Sequence, residues 1–145
     1  MSGRRGGDDV TIDELTYGRV EWTDLYRSPK VLDISWGRME IEGFGVGKDF
    51  KLFPGGARFW DWAVTGTQHE PGIRHSDVDE LLNYGATAVV LSCGMQLGLQ
   101  VPQSTVDYLE ERNVIVHVAE TREAVRIYNE LAETTPVGGL FHSTC

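Results

Sequence analysis

The chain has 145 residues, 41% of them hydrophobic and 24% charged, with a formal net charge of −9. That is the size and composition of one globular domain with a single core. An excess of carboxylates excludes a phosphate-neutralising nucleic-acid surface and repels an anionic membrane.

No apolar run approaches the roughly 20 residues that span a bilayer. Arg4-Arg5 is followed by Gly-Gly-Asp-Asp, not by a signal-type apolar stretch. Ser2 excludes myristoylation, and Cys145 is not placed for prenylation. Cys93 and Cys145 form no disulfide framework. The expectation is a soluble cytoplasmic protein in a reducing compartment.

In chain order, residues 1–28 read as a flexible or loosely packed extension, because Ser2 to Asp9 carries nothing to bury. From Val31 the pattern becomes strands. Val31–Trp36 leads through Gly37 to Met39–Ile41, and Gly43 to Gly47 reads as a turn between strands. Asp49–Phe53 and Arg58–Trp62 are two more strands, joined at Pro54-Gly55-Gly56, and Thr65 to Arg74 is a long polar loop. Ser76 is the expected N-cap of a helix that buries Val78, Leu81 and Leu82 and stops at Gly85.

Thr87–Leu91 has the continuous apolar character of a strand buried on both faces. Pro102 opens a second helix running to about Arg112, with Val106 and Leu109 inward. Val114–Val118 is a second buried strand, Thr121 caps a helix to about Ala132, and Val137–Phe141 is a last short strand. The fold class is therefore α/β, a compact mixed-sheet domain over residues 29–145. Its front half is antiparallel and its back half is a parallel β-α-β-α-β unit.

Candidate chemistry is sparse. Gly43-Phe44-Gly45-Val46-Gly47 precedes a strand and so lacks the helix N-terminus of a nucleotide loop. Gly94-Met95-Gln96-Leu97-Gly98 lies at the end of a buried strand, where α/β sheets bind ligands, or is simply a glycine-eased crossover. Cys93 reads as a small buried thiol, not a nucleophile. His69, His75, His117 and His142 show no metal-ligand spacing, so neither a metal site nor a cofactor is expected. Strand alternation would put Trp60 and Trp62 on one face, with Asp61 opposite and beside Arg58. The two indoles line a cleft or cover the core.

Pro54-Gly55-Gly56, Trp60-Asp61-Trp62 and Thr65-Gly66-Thr67-x-His69-x-Pro71-Gly72 stand in order with Gly94-Met95, Val101-Pro102, Ser104-Thr105-Val106 and Tyr108-Leu109. With Val137 to Cys145 they resemble the adipogenesis-associated domain-containing protein family, a distant relative of which is a mitochondrial complex I assembly factor. The resemblance runs from about Pro29 to Cys145. It implies an α/β fold with a small hammerhead-like β portion and a family without an established reaction. Its eukaryotic members are tied to adipocyte differentiation, growth signalling and complex assembly.

The functional expectation is a non-enzymatic binding, assembly or regulatory module, with candidate ligand-binding residues Arg58, Asp61, Trp62, Thr67, His69, Met95 and His142. The alternative is a small-molecule enzyme with a cleft around Asp61, His69 and Met95, where Asp61 or His69 acts as general base. A protein partner, a second copy of the chain in a homodimer, or a small molecule are the partners to consider; nucleic acid and membrane are not.

Overall fold

The computed structural model describes residues 26–145. Most of the expected N-terminal extension therefore lies outside the described residues. Ser28 is wholly buried, and its hydroxyl donates to the Val137 carbonyl at 2.6 Å.

A three-stranded antiparallel sheet is formed by β1 (Val31–Ser35), β2 (Arg38–Ile41) and β3 (Gly45–Gly47). A five-stranded mixed sheet has the order β5-β4-β8-β6-β7, with β4 Asp49–Phe53, β5 Gly56–Phe59, β6 Ala88–Ser92, β7 Ile115–Ala119 and β8 Val137–His142. Among the described residues four helices complete it: α1 (Trp62–Thr65), α2 (His75–Asn83), α3 (Gln103–Glu110) and α4 (Thr121–Ala132). Within the larger sheet β4 runs antiparallel to β5 and β8, and β6 runs parallel to β7 and β8. The α/β class and its antiparallel and parallel halves are as the sequence implies.

Side-chain alternation gives the sheet a core on each face. Ala88 and Val90 of β6 join Phe50, Leu52, Val137 and Phe141 under α4, where Met39 and Ile41 of the small sheet also pack. Val89 and Leu91 face the other way with Leu140, Val78, Leu81 and Leu109 under α2 and α3. That is the double burial expected of a continuous apolar strand.

Five local expectations are corrected. Trp62 is not in a strand: β5 ends at Phe59, and the chain turns into α1 with Asp61 as N-cap. The α2 N-cap is Arg74, not Ser76, because Asp77 reaches back to accept the Arg74 N–H at 2.8 Å. Glu120, not Thr121, caps α4, its side chain accepting from the Glu123 N–H. Gly45–Gly47 is itself a short strand rather than a turn. β7 is not buried: among the described residues it pairs only with β6, so Ile115 (65% exposed) and Val118 (45%) sit on a sheet edge. An apolar run does not reveal how many neighbours a strand has.

The central strand β8 is wholly buried. A Cβ on Gly139 would stand 2.4 Å from the Phe141 ring and 3.1 Å from the Tyr128 ring of α4. Gly139→Ala is expected to destabilise the domain by about 1–3 kcal/mol through overpacking. Urea denaturation measures this, and an unchanged midpoint would show that α4 yields freely.

Candidate binding site

The site is assembled where β8 ends. At the β4–β8 register Asp49 opposes His142. Asp49 Oδ2 lies 2.9 Å from His142 Nδ1, while Oδ1 accepts the Ser143 N–H at 3.1 Å. His142 is only 2% exposed, and its backbone is pinned by two hydroxyls. Its N–H donates to Ser92 Oγ at 2.9 Å, and its carbonyl accepts from Thr121 Oγ1 at 2.7 Å. With Nδ1 held by a carboxylate, Nε2 points on, 3.2 Å from Thr144 Oγ1.

Beyond β8, residues Thr144 and Cys145 are held by the loop after β6. Met95 N–H donates to the Thr144 carbonyl and Gly98 N–H to the Cys145 carbonyl, both at 2.6 Å. A Cβ on Gly94 or Gly98 would lie 2.4 or 2.5 Å from the Cys145 carbonyl oxygen, so only glycine admits this approach. The Gly94–Gly98 loop thus cradles the chain's own backbone.

The opposite wall descends from a buried carboxylate. Asp77 at the start of α2 is fully buried. It accepts from Trp60 Nε1 at 3.1 Å, Thr65 Oγ1 at 2.7 Å and the Arg74 N–H at 2.8 Å, with Thr67 Oγ1 2.7 Å from both of its oxygens. These bonds fix the Trp60–Thr67 segment and hold α1 against the sheet. His69 follows on a loop bound to Gln100, whose N–H donates to the His69 carbonyl at 3.0 Å.

Between these walls opens a cleft of about 670 Å³ lined by Asp49, Asp61, Trp62, His69, His142 and Cys145, with Lys48, Phe59, Trp60 and Thr144 around them. Three rings converge there: Trp62 to His142 at 4.7 Å, Trp62 to His69 at 4.9 Å and His69 to His142 at 5.2 Å between centroids. Trp62 Nε1 is shut off from solvent with no hydrogen-bond acceptor among the described residues. Cys145 Sγ stands 3.5 Å from His69 Nε2.

Of the residues singled out in the sequence, Asp61, Trp62, His69 and His142 line this cleft. Arg58, Thr67 and Met95 do not. Arg58 is not paired with Asp61; its Nε binds Glu80 at 2.6 Å, and Glu80 also meets Lys51, the residue opposite Arg58 in the strand pair. Thr67 is a buried partner of Asp77, and Met95 contributes its N–H to the cradle. Asp61 caps α1, its Oδ1 accepting the Ala63 N–H at 2.9 Å. Sequence reasoning missed Asp49 and Cys145, and with them the histidine–thiol cluster. The expectation of no metal site rested on spacing along the chain, whereas one ligand atom each from His69, His142 and Cys145 lies within 4.8 Å of the others. Cys93 is outside the lining, and burial pushes its thiol up from the ordinary value.

These features define a mixed α/β domain with an aromatic and histidine-lined cleft at the ends of its sheet strands. Residues 31–142 match the DUF498/DUF598 family of proteins of unknown function, and the chain belongs to that family. Among solved structures, a conserved hypothetical protein from Pyrococcus horikoshii is similar, at 19% identity and a TM-score of 0.69 over 80% of this chain and 99% of that one. A protein from Bartonella henselae described as an outer membrane protein is 20% identical, with a TM-score of 0.66 over 83% and 98% of the two chains. A Bordetella pertussis protein described as a Mth938-like domain is 18% identical, with a TM-score of 0.53 over 79% and 85%. These likenesses show the fold. No helix among the described residues is long and apolar enough to cross a membrane.

Two measurements check this construction. Asp77→Ala is expected to cost on the order of 3 kcal/mol in urea denaturation, since it strands buried donors, and Asp77→Asn less. A loss under about 1 kcal/mol would mean that the donors find other partners. Because burial favours the protonated thiol of Cys93, its alkylation by iodoacetamide should stay slow at neutral pH and accelerate only above the usual thiol range. Peptide-resolved labelling rates give the answer, and rapid modification of Cys93 at pH 7 would contradict the burial.

Proposed function

We propose that this chain is a non-enzymatic binding module that takes a small molecule in the cleft between α1, the His69 loop and the end of β8. The observation that carries this reading is the convergence of Trp62, His69 and His142 on one cavity of ligand size. The ring faces suit a flat apolar group, and the imidazoles suit an acidic or carbonyl head group. Binding is favoured over turnover because Asp61, one of the two expected general bases beside His69, is engaged by the Ala63 N–H, and Met95 lies elsewhere. The resemblance to proteins tied to signalling and assembly supports a module that binds rather than converts.

One observation favours catalysis instead. Asp49, His142 and Thr144 form a carboxylate–imidazole–hydroxyl series through contacts of 2.9 and 3.2 Å, the order in which a hydroxyl is activated.

Native mass spectrometry on protein purified gently from its host tests both readings. A small organic species of defined mass is expected, lost in His69→Ala and retained in Arg58→Ala. The bare 16.2 kDa chain in every preparation would overturn the cleft reading. A mass carrying a second copy or another protein would move the function to a surface. Conversion of the retained species, abolished by Thr144→Ala in a folded chain, would make the protein an enzyme.

A further inference from the structure

We propose that the floor of this cleft is a zinc-type metal site, with His69, His142 and Cys145 as its protein ligands and a fourth position open to the cleft ligand. The inference deepens the binding reading and rests on it for the role of that fourth position.

Distance is the first argument. Zinc bonds of about 2.3 Å to sulfur and 2.0–2.1 Å to nitrogen, set at the tetrahedral angle, put the two donors roughly 3.5 Å apart. Cys145 Sγ and His69 Nε2 are 3.5 Å apart. His142 contributes a third donor, and the three lie within 4.8 Å of one another. A shift of about 1 Å brings the widest of these separations to the tetrahedral spacing.

The second argument is independent of the cluster and concerns what stands behind it. Metal-bound histidines almost always give their other ring nitrogen to a carboxylate, a backbone carbonyl or a water, which fixes the tautomer and raises the basicity of the ligating nitrogen. His142 has this arrangement: Asp49 Oδ2 holds Nδ1 at 2.9 Å, leaving Nε2 as the ring nitrogen free to ligate. Thr144 Oγ1, 3.2 Å from Nε2, is the group that a metal ion would replace. Asp49 is in turn fixed by the Ser143 N–H, and the backbone of Cys145 by Gly98. The ligands are thus positioned before any ion arrives.

The donor set selects the ion. Two imidazoles and a thiolate suit zinc and other borderline-soft cations, not magnesium or calcium, which take oxygen ligands. Coordination releases the thiol proton of Cys145 to solvent as the sulfur–metal bond forms. Three protein ligands with one open position are the pattern of zinc sites that act on a bound molecule, whereas structural sites are closed by four. An anionic oxygen or sulfur on the cleft ligand would complete the tetrahedron.

The test is titration of the chelator-treated full chain with zinc chloride by calorimetry, beside the absorption spectrum with cobalt(II). We expect one zinc per chain, and with cobalt a thiolate charge-transfer band together with bands of tetrahedral intensity. Cys145→Ser and His69→Ala should each weaken zinc binding at least about tenfold, and Asp49→Asn about 10- to 100-fold, while Cys93→Ser leaves it unchanged. Circular dichroism confirms that the variants fold, and the cobalt spectrum of the unaltered chain needs no variant at all. No zinc uptake, a cobalt spectrum without the thiolate band, or affinity unmoved in both ligand variants would overturn the proposal. A chain that retains an organic molecule but takes no zinc loses the metal site and keeps the cleft reading. Zinc uptake without an organic ligand supports the site and removes only the role given to its fourth position.

Discussion

The insertion of β8 between β4 and β6 is the constraint on which the rest of the structure depends. β8 is among the last segments of the sequence, yet all of its residues are buried and it joins the antiparallel to the parallel part of the sheet. Paired glycines make this possible. Gly138 faces Leu81 and Ala86 on the α2 side, and Gly139 faces Tyr128 on the α4 side, each at a distance that a larger residue would contest. Helices can then lie close on both faces, and the two cores form at one strand. The same register sets Asp49 opposite His142, so the pairing that builds the core also sets the central contact of the cleft.

Polar bonds do for the cleft walls what apolar packing does for the core. A buried carboxylate is costly unless its hydrogen-bonding capacity is met, and Asp77 meets it with an indole N–H, threonine hydroxyls and the start of its own helix. Such bonds are directional, so they specify where Trp60 and α1 must lie in a way that packing alone does not. Glu80, one turn further along α2, does similar service at the sheet surface by standing between the like charges of Lys51 and Arg58. α2 therefore joins sheet to cleft through its acidic residues.

How much of this could be read from the sequence follows the range of the interactions. Periodicity located β6, α2, α3 and α4 because their signals are local: an apolar run, a buried stripe, a glycine such as Gly85 at φ +92°. Trp60-Asp61-Trp62 misled because strand alternation and a tight helical entry both place aromatic residues two apart, and the choice was made by Asp77, well downstream. The helix caps were missed for a related reason, since Arg74 and Glu120 compete with better-known capping residues one or two positions away. Asp61, Trp62, His69 and His142 were found through composition and motif. Asp49 and Cys145 were not, because each matters only through a partner that the strand order supplies, at a separation of 93 residues for Asp49–His142 and 76 for His69–Cys145.

The position of the cleft has its own logic in the sheet. From β6 the chain crosses by α3 on one face to β7, then returns from β7 by α4 on the other face, past β6, to β8, so that the two crossovers run in opposite directions across the sheet. Where crossovers diverge in this way, the carboxyl ends of the strands are left uncovered and a crevice opens between the departing loops. Here one departing segment is the Gly94–Gly98 loop and the other is Ser143 to Cys145, and they are hydrogen-bonded to each other. That bonding closes the crevice on the β6 side and leaves it open toward β4 and β5, where α1 and the His69 loop form the far wall. The cleft is thus bounded by segments fixed from opposite ends of the fold, one by the glycine cradle and the other by Asp77. Such walls hold side chains in place without a ligand, which lowers the ordering cost of binding one.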